Sequence, residues 1–90
     1  GMIKDYSVVA MFANYAINEL AHFLIKKYNT DISVIVNAQA KTVSFRRSRE
    51  SDVDVSILAK KLCDGGGHTA SAGGKLTDQF ANLTKTFIPC

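Results

Sequence analysis

The sequence predicts a small α/β domain, a mixed β-sheet with helices packed on it, and three observations carry that prediction. Runs of β-branched residues alternate along the chain with segments whose apolar residues recur at helical spacing. The chain has 90 residues, enough for a single domain and too few for two. Hydrophobic residues make up 47% of it, which excludes a disordered chain. A domain this small still buries only roughly 60–65% of the surface its unfolded chain exposes. Gly1, ahead of Met2, reads as the remnant of a cleaved tag and carries no weight in the fold.

The elements follow in order. Residues 6–13 form a continuous apolar run that predicts a buried strand. From Asn14 the period changes: Ile17, Leu20, Ala21, Leu24, Ile25 and Tyr28 fall on one helical face. Asn14 is the predicted N-cap, and Lys26 and Lys27 sit where cations suit the helix dipole. Residues 32–37 are a second β-branched run, and residues 39–41 a turn without the usual glycine. Residues 42–47 then alternate, with Val43 and Phe45 on one side and Thr42, Ser44 and Arg46 on the other, so this hairpin partner has an exposed polar face.

Residues 48–52 are a polar loop, after which Asp52 or Asp54 caps a second helix striped by Val55, Leu58, Ala59 and Leu62. Gly65, Gly66 and Gly67 are expected to end that helix. Residues 68–72 are expected to form one short helical turn, and residues 75–77 a last strand. Asp78 should cap a short C-terminal helix containing Phe80 and Leu83.

Net charge is +3, which suits an anionic ligand without demanding one. The arrangement says more than the total: Arg46, Arg47 and Arg49 cluster within four positions. No apolar run is long enough to span a membrane, and no secretory signal is present. Cys63 and Cys90 make no disulfide framework and read as free thiols of a reducing cytoplasm.

Residues 65–74 hold five glycines and no bulky apolar side chain. Successive glycines let the backbone take left-handed conformations and let a ligand approach closely. Their amides can converge into an anion-binding nest, and a helical turn at 68–72 would aim its N-terminal amides at the same point. His68 would add a donor there, stronger when protonated. In that reading Gly66→Val damages both binding and stability, because a β-branched residue resists positive φ. The other reading is plain: the glycines stop one helix and start a strand, and His68 is structural.

At this stretch the chain resembles a known family. Gly65-Gly66-Gly67-His68, followed by Ala70, Ala72 and Gly73, is similar to the signature of the DHH-associated domain, the C-terminal module of DHH-superfamily phosphoesterases. Val43-Ser44-Phe45-Arg46, the polar loop and the helix from Val53 through Ala59 to Leu62 resemble the family's upstream segments. The likeness is close over residues 43–76 and looser elsewhere. Two departures stand out. Asp64 occupies a position where many members have a fourth glycine, and Ser71-Ala72-Gly73 replaces the usual Ala-Ala-Gly. Asp64 puts a negative charge beside the proposed anion site.

The resemblance implies a division of labour. An N-terminal DHH domain of the same polypeptide holds two divalent metals, manganese in the typical case. The associated domain closes over the cleft and grips a phosphate-containing substrate: a short oligonucleotide, a cyclic dinucleotide, a nucleotide bisphosphate or a polyphosphate, in a family that includes oligoribonucleases and exopolyphosphatase-related proteins. No cofactor and no catalytic residue is expected in this chain itself. The substrate-binding residues it implies are Ser44, Arg46, Arg47, Gly65, Gly66, Gly67 and His68. Arg46 is the preferred bidentate phosphate clamp and Arg47 the second choice, on the opposite strand face. A homodimer of the parent is compatible with this. The competing readings are a tRNA-binding module like the C-terminal domain of alanyl-tRNA synthetase, an independent enzyme with Cys63 as nucleophile and His68 as base, and zinc held by Cys63 and His68.

Overall fold

The computed structural model describes residues 1–87. Six strands and three helices follow in the order β1 (Met2–Ile3), β2 (Tyr6–Phe12), α1 (Ile17–Tyr28), β3 (Ile32–Asn37), β4 (Thr42–Arg47), α2 (Val55–Cys63), β5 (Gly66–Gly67), β6 (Ser71–Lys75) and α3 (Asp78–Thr84). The strands form one mixed sheet in the order β1-β2-β3-β4-β6-β5. Strands β2 and β3 run parallel and are joined over one face by α1; the other neighbours are antiparallel. The domain is therefore the α/β fold that the alternating patterns predict.

The pleat sorts the core into two layers. On one face Val8, Ala10, Ile32, Val34, Val43 and Phe45 meet Val55, Leu58 and Ala59 of α2 and Phe80 of α3. Phe45 and Phe80 pack edge to face, with ring centroids 5.6 Å apart. Cys63 lies in this layer, and burial pushes its thiol up to about 11. On the other face Val9 and Ile35 lie beneath Ala21 and Leu24 of α1. Strand β3 is buried on both sides, as its β-branched run, interrupted by the buried Ser33, requires.

Several boundaries differ from the sequence expectations, each for a local reason. Asn14 does not cap α1. Its side-chain amide donates to Gln39 instead, and Ala16 takes the cap position in a left-handed conformation with no side-chain bond. The first strand ends at Phe12, so Ala13 is outside it. Tyr28, placed on the apolar stripe by spacing, is exposed at the helix end. Asp54, not Asp52, caps α2 by accepting from the Ser56 amide, while Asp52 accepts from the Tyr6 hydroxyl.

Helix α2 ends on Asp64, which adopts φ 50°, the left-handed conformation that a glycine would take there. The glycines that follow are thus not the stop signal. Thr77, not Asp78, caps α3, its hydroxyl accepting from the Phe80 amide. Gly1, set aside in the sequence reading, exchanges both backbone hydrogen bonds with Val8. The free-thiol expectation for Cys90 falls outside the described residues.

The Ser56 hydroxyl, with the Ser56 amide adding to it, holds the Asp54 carboxyl below the usual carboxylate range. A depressed carboxyl contributes stability above its unfolded value and loses it as pH falls through the folded one. Asp54→Ala should therefore lower the melting temperature at pH 7. That deficit should shrink well below pH 4, where both chains carry an uncharged residue. Thermal melts at the two pH values check this; an equal deficit at both removes the ionised cap.

Candidate functional site

Strand β4 links the core to the site. Its alternation sends Val43 and Phe45 into the α2 layer and leaves Ser44 and Arg46 on the α1 side. Across the ladder Ser44 stands opposite Gly73, and Gly73 opposite Gly66. Arg46 stands opposite Ser71. Helix α1 packs on β2, β3 and β4, and the glycine strands beyond have no side chains to fill the remaining space. The result is a cleft of about 350 Å³ between Ile17, Asn18 and Ala21 of α1 and Ser44, Arg46, Gly66, Gly67, Ser71 and Gly73 of the sheet.

Arg46 is half-buried at the wall of this cleft. One guanidinium nitrogen donates to Asn18 Oδ1 at 3.1 Å. The group has five N–H donors in a fixed fork, so this bond orients it and leaves most of the fork free.

The expectation of a helical turn at residues 68–72 is overturned: the glycine stretch is a tight β-hairpin, so no helical turn there aims its amides into the site. The His68 amide donates to Ser71 O at 2.8 Å, closing the ladder around Thr69 and Ala70. Antiparallel pairs alternate between bonded and non-bonded. The Gly67–Ala72 pair is therefore the non-bonded one, and the Gly67 amide points to the open edge of the sheet. The turn is pinned from outside: Thr69 O accepts from the Val55 amide at 3.0 Å, and Ala70 O from the Arg47 amide at 3.1 Å. Thr69 thereby also satisfies the first free amide of α2.

The glycines have different reasons to be there. A Cβ on Gly65 would collide with the Gly73 carbonyl, and one on Gly74 would lie 2.7 Å from the Cβ of Cys63. Gly67 has φ 147°, which L side chains rarely adopt. Gly66 alone of these meets nothing within 4 Å and has no positive φ. The fold does not need a glycine there, and the expectation that Gly66→Val destabilises through φ fails.

Of the seven residues implied in ligand binding, Ser44, Arg46, Gly66 and Gly67 share the cleft. His68 is exposed at the hairpin tip beside Ser71, two strands from Arg46 and so about 10 Å away at ordinary strand spacing. Gly65 is a packing residue at the back of the hairpin. Arg47 lies on the opposite side, where its guanidinium donates to Val53 O at 3.1 Å and ties the loop before α2 to the sheet. Asp64 is exposed and faces Lys75 at 3.8 Å, an ion pair of little weight in water.

Cys63 is buried in the α2 layer with its thiol held protonated. That fits the packing reading and neither a nucleophile nor a zinc ligand shared with His68. Among the described residues no three His, Cys, Asp or Glu come together as metal ligands. Sequence reasoning missed Asn18 and Ser71. Asn18 contacts Arg46 across 28 positions, and no local pattern signals that pairing.

The chain is thus an α/β domain whose sheet turns an Arg and a glycine hairpin toward one cleft. The chain belongs to the DHHA1 domain family, whose profile it matches over residues 5–89. These domains are associated with DHH phosphoesterases. Two solved structures share the fold. One is an uncharacterized protein from Helicobacter pylori, with TM-score 0.71 and 24% identity, over 92% of this chain and 26% of that one. The other is the pGpG-specific phosphodiesterase PggH from Vibrio cholerae, with TM-score 0.54 and 18% identity, over 89% of this chain and 31% of that one. The chain thus spans about a quarter to a third of the length of these proteins. A comparison with curated proteins gives no match.

The glycine roles separate experimentally. Gly65→Ala should destabilise the domain by about 1–3 kcal/mol, the usual cost of forcing atoms into a packed site. Gly66→Ala should leave stability within about 0.5 kcal/mol. Denaturant unfolding of the two variants checks the contrast.

Proposed function

We propose that this chain is the substrate-gripping domain of a DHH-type phosphoesterase, and that its cleft holds a phosphate of a short oligonucleotide, cyclic dinucleotide or related phosphoester. The observation that carries this is the pairing of a pre-oriented Arg46 with the side-chain-free face of Gly66 and Gly67 in one cleft. A guanidinium fork matches phosphate geometry, and the Gly67 amide, at the open edge two strands away, supplies a neutral donor to the part of the substrate that reaches that edge. His68, at the pinned hairpin tip, adds a further donor to the part of the substrate that leaves the cleft. The family membership and the phosphodiesterase activity named for the Vibrio neighbour support the reading.

In this proposal the chemistry belongs to an N-terminal DHH domain of the same polypeptide. Its divalent metals, manganese by family habit, activate water and polarise the phosphoryl group when bound. The residues of this chain bind and orient. Asn18 holds Arg46, the Val55 and Arg47 amides hold the hairpin, and the bound phosphate meets donors that are already placed. No helix among the described residues is long and apolar enough to cross a membrane.

Arg46→Ala and His68→Ala in the intact parent should each weaken substrate binding by about ten- to a hundredfold, as expected for losing a hydrogen bond to a charged group. Melting temperatures should change little, since neither side chain lies in the core. Affinity should fall with added salt. Michaelis constants and thermal melts of the two variants decide: a His68→Ala protein that melts early yet binds normally makes His68 structural. An Arg46→Ala protein with unchanged binding removes the cleft as the grip.

A further inference from the structure

A second cleft, of about 390 Å³, opens beside the first at the carboxyl ends of the parallel strands β2 and β3. Met11, Phe12, Tyr15 and Leu20 give it apolar and aromatic walls, and Asn14 and Gln39 sit at its mouth. Tyr15 is 74% exposed and Phe12 55%. Neither belongs to the two core clusters, so the fold does not account for them. The Asn14 side-chain amide donates to Gln39 Oε1 at 3.1 Å, which orients both amide groups.

The position of this cleft is the informative part. Met11, Ile35, Ser44 and Gly73 form one row across the sheet, so the Met11 wall of the second cleft and the floor of the phosphate cleft share a face, while Phe12, paired with Val36, closes the second cleft from the other face. At ordinary strand spacing Met11 and Ser44 stand about 10 Å apart. The first turn of α1 lies between the clefts, with Tyr15 and Leu20 on one side and Ile17 and Asn18 on the other. A phosphoryl group alone cannot occupy both clefts, whereas a nucleotide can. Aromatic faces with amide groups at their rim are the chemistry that receives a nucleobase: the rings stack on it, and the amides meet its edge.

We propose that the cleft walled by Tyr15 is a nucleobase subsite, which makes the substrate of the phosphate cleft a nucleotide-containing phosphoester rather than a polyphosphate. This rests on the phosphate-gripping reading above, and the test separates the two. The chain has no tryptophan, so Tyr15→Trp places the single indole, excited apart from the remaining tyrosines, at the proposed stacking position.

The probes are a 5′-phosphorylated dinucleotide, the same compound lacking its bases, and inorganic tripolyphosphate, each titrated into the chain and followed by amide shifts in NMR. The dinucleotide should bind more tightly than its abasic analogue and quench the Tyr15→Trp fluorescence. Tyr15→Ala should weaken the dinucleotide about tenfold and leave tripolyphosphate unchanged. Arg46→Ala should weaken every probe that binds. If Arg46→Ala weakens binding but Tyr15→Ala does not discriminate dinucleotide from tripolyphosphate, the base subsite is wrong and the phosphate grip stands. That result would assign the aromatic face to packing against another domain. If Arg46→Ala leaves every probe unaffected, the phosphate grip itself is wrong. Both variants alter exposed or half-buried positions, and an unchanged amide spectrum without ligand shows that the fold is kept.

Discussion

In a β-strand neighbouring side chains point to opposite faces, and β4 uses that alternation to join two unlike environments. Val43 and Phe45 are buried among α2 and α3, where Phe45 meets Phe80. Ser44 and Arg46, one residue out of phase, face the cleft. The packing of Phe45 therefore fixes where the Arg46 backbone lies, and a slip of one residue in register would exchange the two sets. The antiparallel partners on both sides hold that register: Arg46 is opposite Ser33 on one strand and Ser71 on the other. Core packing and the placement of Arg46 are consequences of the same pleat.

The glycine hairpin completes the arrangement by bringing backbone close to backbone. Gly65 and Gly74 let β5 and β6 approach the end of α2, where any Cβ would meet the Gly73 carbonyl or Cys63. The hairpin tip is then tied down by amides from β4 and α2. A loop of small residues would otherwise be among the more mobile parts of a domain. Here the small residues are what permit the close packing that immobilises it. Gly66 is the exception, free of close neighbours and open to the cleft.

Much of the fold was legible because side-chain periodicity carries it. The alternation of residues 42–47 assigned Phe45 inward and Arg46 to the other face, and the helical stripes placed Leu24 and Leu58 in the layers they occupy. Where side chains are missing or small, that signal vanishes. Residues 65–74 offer no period, so a hairpin was read as a helix stop and a helical turn. The end of α2 depended on Asp64 accepting a left-handed conformation, which composition does not announce. Spacing alone could not tie Asn18 to Arg46, nor show that Phe12 and Tyr15 wall a cleft, because those relations arise only when α1 crosses the sheet. The motif resemblance supplied the site residues as a set. The coordinates divide that set into cleft residues, a tip residue and two residues, Gly65 and Arg47, that hold the scaffold.

The sheet ends on β1 and β5, each two residues long. An edge strand is a template on which another chain can extend a sheet, and the length of the exposed ladder sets how good a template it is. Two residues offer too few unpaired amides and carbonyls for a foreign strand to register. On β5 the absence of side chains also removes any pattern that would favour a particular alignment. Terminal strands this short limit how far either edge could be extended by a copy of the domain.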